Sequence, residues 1–278
     1  QLGMKDVEGN SINNTQWGIT LHAPLKKLSS GIGVSFYNDQ NGLFETMNQL
    51  SLMYAYQLKI GEGRLGIGLQ GGMYQLAYDF TKAKYPGSLT GGESQGTGSD
   101  SYIDKLGSEK MTIFHIGGGL FYKISDLYFG VSMKNINSPK LKGTEGKYKY
   151  YVPHTYIMAG YTYNTSNPLI TLNPSMLYKF SSMLNSPQLN IDLLVEYNRF
   201  LIIGAEYTTS NDVTFILGAN FKDGSKLDGL RVAASYDIIT SKLGEYSKLR
   251  ANLEAVIGYT FNMSVEKIAK TYKSVRFL

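Results

Sequence analysis

Residues 248–261 alternate between two kinds of side chain. Leu249, Ala251, Leu253, Ala255, Ile257, Tyr259 and Phe261 occupy one set of alternate positions. Arg250, Asn252, Glu254, Gly258 and Thr260 occupy the other, with Val256 the single apolar exception. Successive side chains of a strand point to opposite faces, so this segment reads as a strand with one apolar and one charged face. The pattern recurs. Leu189, Ile191, Leu193, Val195 and Tyr197 alternate with Asn190, Asp192 and Glu196. Val213, Phe215, Leu217, Ala219 and Phe221 alternate with Thr214, Gly218 and Asn220; Leu230, Val232, Ala234 and Tyr236 alternate with Arg231, Ser235 and Asp237. Near the start, Trp17, Ile19, Leu21 and Ala23 alternate with Gly18, Thr20 and His22. Amphipathic strands repeated in this way describe a barrel wall with lipid outside and a polar lumen inside.

Turn residues punctuate the alternation and divide it into strands at 1–7, 14–25, 28–40, 44–58, 63–78, 110–124, 127–136, 151–164, 168–181, 187–198, 200–209, 212–222, 227–238 and 247–261. The count is about 14, an even number as bacterial single-chain outer-membrane barrels require. The first strand is expected to be truncated. The fold expected is therefore all-β, a transmembrane antiparallel β-barrel over 1–262, followed by a basic tail over 263–278. If the last strand ends in the periplasm, short turns fall near 26–27, 60–63, 125–126, 165–167, 199 and 223–226. The longest connections, 79–109, 137–150 and 239–246, then fall outside. Short periplasmic turns with long outer loops are the asymmetry such barrels show, and one missed strand would have inverted it.

Composition narrows the class. No run of about 18 apolar residues exists, so no transmembrane helix is expected, whereas barrel strands dilute their apolar face with polar lumen residues. The chain has no cysteine, which removes disulfides and thiolate metal sites. The net charge of +5 is modest and the cations form no single patch with interleaved aromatics, so no nucleic-acid partner is expected. The chain opens at Gln1 without an initiator Met or a leader-like stretch, which predicts that an N-terminal segment precedes it.

The candidate chemistry is weak. Gly66, Gly68 and Gly71 match G-x-G-x-x-G, but they lie inside an alternating strand, where a dinucleotide site would need the turn between a strand and a helix. Their expected role is curvature and lumen packing. His22, His115 and His154 have no partners at metal-ligand spacing. Ser35, Ser51 and His22 fall on neighbouring strands, yet nothing marks them as a nucleophile and base. No enzyme activity and no cofactor are expected. The lumen charges Asp192, Glu196, Glu206, Arg231, Asp237, Arg250 and Glu254 come mostly from neighbouring strands. They are expected to form a bracing network, since opposite charges paired across strands contribute about 0.2–1 kcal/mol each. A polar permeation path is the other reading. The loop stretches 87–100, rich in Gly, Ser and Thr, and 140–149, rich in Lys, are either solvated spacers or a docking surface. In the tail, Lys267, Lys270, Tyr272, Lys273, Arg276 and Phe277 are candidate contacts for a periplasmic partner.

Several segments, taken in order, resemble the PorP/SprF family of type IX secretion membrane proteins from Bacteroidota. Gln16 and Trp17 lead into residues 22–25 (HAPL), followed by 31–39 (GIGVSFYND), Ala55 and Tyr56, 65–72 (LGIGLQGG) and 158–161 (MAGY). Residues 172–179 (LNPSMLYK), 234–243 (ASYDIITSKL) and 272–278 (YKSVRFL) complete the series. The resemblance is least over 79–109, and the tail looks closer to the PorP-like branch than to the SprF-like one. The family's usual signal peptide and Asn-Pro-rich start have no counterpart in the chain. The resemblance implies a non-enzymatic outer-membrane protein of type IX secretion, and of gliding motility in some members. Its partners would be membrane lipids, periplasmic ring proteins of the PorK/PorN type, and secreted cargo or an adhesin at the outer loops. A passive or substrate-selective channel is the alternative function.

Overall fold

The computed structural model describes residues 4–5, 11–12, 14–42, 45–79, 108–143, 146–149, 151–181, 187–210, 212–221, 227–240 and 251–261. One antiparallel sheet of 14 strands dominates it. In chain order these are β1 Thr15–Leu25, β2 Ser30–Asn41, β3 Glu45–Ile60, β4 Gly63–Asp79, β5 Ser108–Ile124, β6 Leu127–Lys134, β7 His154–Tyr161, β8 Tyr163–Asn164, β9 Ile170–Ser181, β10 Gln188–Tyr197, β11 Leu201–Thr208, β12 Asp212–Asn220, β13 Leu230–Ile239 and β14 Ala251–Tyr259. Each strand pairs with its sequence neighbour, apart from the two-residue β8, which pairs with β9 alone. Sequential antiparallel pairing is what short turns impose. The fold is the expected all-β transmembrane barrel architecture, and among the described residues no helix is long and apolar enough to cross a membrane. The hydrogen-bonded path ends at β1 and at β14, and both end strands are exposed on both faces over most of their length.

The strands match the alternation to within a few residues, but the count of fourteen is met differently. Met4–Lys5 pairs with Ser11–Ile12 in a separate two-stranded ladder and does not join the main sheet. The segment expected as one strand over 151–164 is divided into β7 and β8. Gly160 pairs with Ser175 and Tyr163 with Leu172, so Pro174 stands opposite Tyr161 in the same register. Proline has no N–H to give to a ladder, and the ladder is interrupted there. On the other side of the strand the ladder to β6 runs one rung further, the Thr162 N–H donating to the Asp126 carbonyl (2.9 Å). The connection expected as a plain loop over 137–150 holds a small hairpin, Lys140–Gly143 against Gly146–Lys149.

One set of alternate positions is apolar and exposed. Phe114, Leu253 and Ile257 keep 70%, 77% and 78% of their surface open, a pattern that only a lipid environment makes favourable. The opposite face is buried or polar. Turns at one end are tight: Asn198 and Arg199 both take positive φ (52° and 54°), as a hairpin matched to strand twist requires. A packed cluster lies on the lumen face near the far ends of β3, β4 and β5. There Leu76 and Ile113 are buried, with Met47, Tyr78, Met111 and Tyr151 against them.

Candidate functional site

Register builds the lumen site. Residues directly opposite one another in a sheet share a face. Starting on β3, Lys59 stands opposite Arg64, and Arg64 opposite Lys123. The row continues through Tyr128, Gly160 and Ser175 to Asp192, then Glu206, Thr214, Asp237 and Asn252. One continuous row across the wall, from β3 to β14, thus carries three cations on its N-terminal half and three carboxylates on its C-terminal half.

Three of the expected lumen charges, Asp192, Glu206 and Asp237, fall in this row. Asp192 and Glu206 are directly opposite, a like-charge pairing that is unfavourable on its own. Donors offset it. Ser175 Oγ donates to Asp192 Oδ2 (2.6 Å), while Thr208 Oγ1 (3.3 Å) and Asn190 Nδ2 donate to Glu206 Oε1. Hydrogen bonds to charged groups contribute about 1.5–3 kcal/mol. Glu196 lies in another row, opposite Thr171 and Ile202. Arg231 is opposite Asn220 and Gly258, and Glu254 is opposite Ser235. Arg250 lies outside the described residues, as do Lys267, Lys270, Tyr272, Lys273, Arg276 and Phe277 of the tail.

A second arrangement was not legible in the chain. Ser35, Ser51, Gly72 and His115 form one cross-strand row. Gln49 Nε2 donates to Ser51 Oγ (3.0 Å), and Ser51 Oγ lies 3.3 Å from His115 Nε2. The His115 ring occupies the space above Gly72 and packs on Tyr74 at 4.4 Å between centroids. Tyr74 donates its hydroxyl to Asn135 Oδ1 (3.1 Å) and stacks on Tyr151 at 4.2 Å. The connection after β6 is held over this wall. Asn137 reproduces a strand residue's two bonds with its side chain, accepting from the Ile116 N–H (3.1 Å) and donating to the Phe114 carbonyl (2.8 Å). A serine beside a histidine could act as nucleophile and base. Ser51, however, is completely buried, so the pair braces the wall. The histidine that meets Ser51 is His115, whereas His22 stands opposite Gly33. His154 Nδ1 contacts the Val152 carbonyl oxygen (2.8 Å). The three glycines of the G-x-G-x-x-G match lie within β4.

On the same lumen face, between β1 and β6, the wall encloses an open cavity of about 1150 Å³. His22, Lys26, Lys59, Arg64 and Lys134 line it, and among the described residues its lining includes no Asp or Glu. The alternation marked these strands as lumen walls. It could not place Lys59, Arg64 and Lys134 around one cavity, because that depends on register.

Comparison with known proteins adds a family. Residues 7–259 match the profile of the type IX secretion system membrane protein PorP/SprF. No curated protein matches the chain.

Proposed function

The chain belongs to the PorP/SprF family of type IX secretion system membrane proteins, and from that premise we propose that it is a non-enzymatic scaffold of the secretion machinery in the bacterial outer membrane. The observation that carries this reading is the family match across 7–259, which takes in every strand of the main sheet. The packed lumen face supports a scaffold over an open pore. Leu76, Ile113, Tyr74 and Tyr151 fill the wall at the far ends of β3–β5, where a conduit would need polar, hydrated space.

In this reading the tight turns face the periplasm, and the long connections 80–107 and 240–250 face outward to meet secreted cargo or an adhesin. The tail leaves β14 on the periplasmic side, where Lys267, Lys270, Lys273 and Arg276 supply cations and Tyr272 and Phe277 apolar anchors for a PorK/PorN-type ring. Aromatic and basic residues together are what a docking segment needs, since the rings provide buried area and the cations steer association. Deleting 264–278 is expected to leave the barrel folded, with its heat-modifiable mobility on gels retained, and to abolish co-purification of the ring proteins from native membranes. A truncated barrel that still brings the ring with it would remove the tail from the mechanism.

A further inference from the structure

We propose that the cavity on the lumen face of β1–β6 is a binding trough for an extended acidic polypeptide segment. Three observations carry this. The first is charge: among the described residues Lys26, Lys59, Arg64 and Lys134 line the cavity without a carboxylate, so the trough complements negative charge.

The second is the spacing of those cations. Arg64 is opposite Lys123, while Lys134 continues the register in which Met133 faces Gly118, which places Lys134 level with Gly117. Lys123 and Gly117 are separated along β5 by roughly 20 Å at the usual rise per residue of about 3.3 Å. Lys59 and Arg64 stand opposite one another and can share one anion, but Lys134 is too far along the wall to reach the same phosphate or carboxylate. About six residues of extended chain span the distance. The volume of about 1150 Å³ also exceeds the usual range for small-molecule pockets, about 300–1,000 Å³.

The third is the floor. Gly31, Ala55, Gly68 and Gly119 form one continuous cross-strand row. At Gly119 the wall itself excludes a side chain, because a Cβ would come within 2.8 Å of Ser132 Cβ and the Val131 carbonyl oxygen. At Gly31 and Gly68 it does not. A Cβ there meets only ordinary contacts, 3.7 Å from the Ala23 oxygen and 3.8 Å from the Gly119 oxygen. Glycine within a strand costs about 0.5–1 kcal/mol relative to alanine, and wall packing does not account for that cost at these two positions. Room on the lumen side does, and a backbone laid against the wall would use it.

Access from the periplasm rests on the orientation proposed above, but binding itself does not. The experiment therefore uses the full chain purified in detergent, with a fluorescein-labelled peptide of alternating glutamate and serine and a lysine–serine peptide as control. Fluorescence anisotropy is expected to show saturable binding of the acidic peptide alone, weakening as salt is raised. The double variant Lys59→Glu, Arg64→Glu should weaken it at least tenfold. Gly68→Leu, which fills the floor without touching a charge, should do the same while its thermal transition stays within a few degrees. Gly31→Leu provides the same test should Gly68→Leu fail to fold. Equal binding of both peptides, wild-type affinity in a folded floor variant, or displacement by inorganic phosphate at equal concentration would each overturn the trough. Loss or retention of ring proteins on tail deletion leaves this outcome unaffected, so the two proposals fail separately.

Discussion

At the residue scale, two glycines of one strand carry opposite demands. Gly72 gives its space to His115: a Cβ there would overlap the Leu50 carbonyl oxygen and lie 2.7 Å from His115 Nε2. Gly72→Ala must therefore shift the β3 backbone at Leu50 as well as the imidazole, which strains the Ser51 contact and the stack on Tyr74. Overpacking of this kind costs about 1–3 kcal/mol. Gly68→Ala meets no such obstacle and is expected to be neutral or mildly stabilising. Equilibrium unfolding in urea with lipid or detergent present should separate the two, and equal stabilities would remove His115 from the packing argument. The alternation showed that both glycines face the lumen. It could not distinguish them, because what each one faces comes from the neighbouring strands and is set by register.

Among the elements, the turns decide the geometry. Residues 198–200 join β10 to β11, and the Phe200 N–H closes the turn on the Tyr197 carbonyl (3.0 Å). Arg199 holds φ at 54°, a left-handed conformation that costs an L-residue about 1–2 kcal/mol and glycine almost nothing. Arg199→Gly is thus expected to raise stability by about 0.5–1 kcal/mol after the added freedom of the unfolded chain is counted. The same denaturant titration reads it, and a loss of stability would mean that the arginine side chain contributes more than its backbone strain. Strand boundaries were readable because each strand meets lipid on one face and the lumen on the other. The division at Thr162 was less so, since it depends on which residue Pro174 stands opposite.

For the whole molecule, the parity of the connections carries the orientation. The turns 26–29, 61–62, 125–126, 165–169 and 198–200 fall at one end, and the strand ends that border 80–107, 135–153 and 240–250 fall at the other. The absence of native cysteine makes this directly testable. Glu62 and Ser210 are both exposed and stand at opposite ends of the sheet. With a membrane-impermeant maleimide, Ser210→Cys is expected to label in intact cells and Glu62→Cys only after the outer membrane is permeabilised. The reverse pattern would invert the barrel and place the tail at the cell surface.

The amino-acid sequence by itself determined the all-β class, nearly every strand of the sheet, the face each side chain takes and the uneven lengths of the connections. Those follow from local alternation, because the two surroundings of the wall act on every strand in the same way. Only the tertiary structure decided which lumen residues meet. The division of charge between Lys59, Arg64 and Lys123 on one side and Asp192, Glu206 and Asp237 on the other is a property of register. So is the meeting of Ser51 with His115. Register is set by how each strand pairs with its neighbours, and two residues a hundred positions apart acquire a common row only when all the intervening strands are in place.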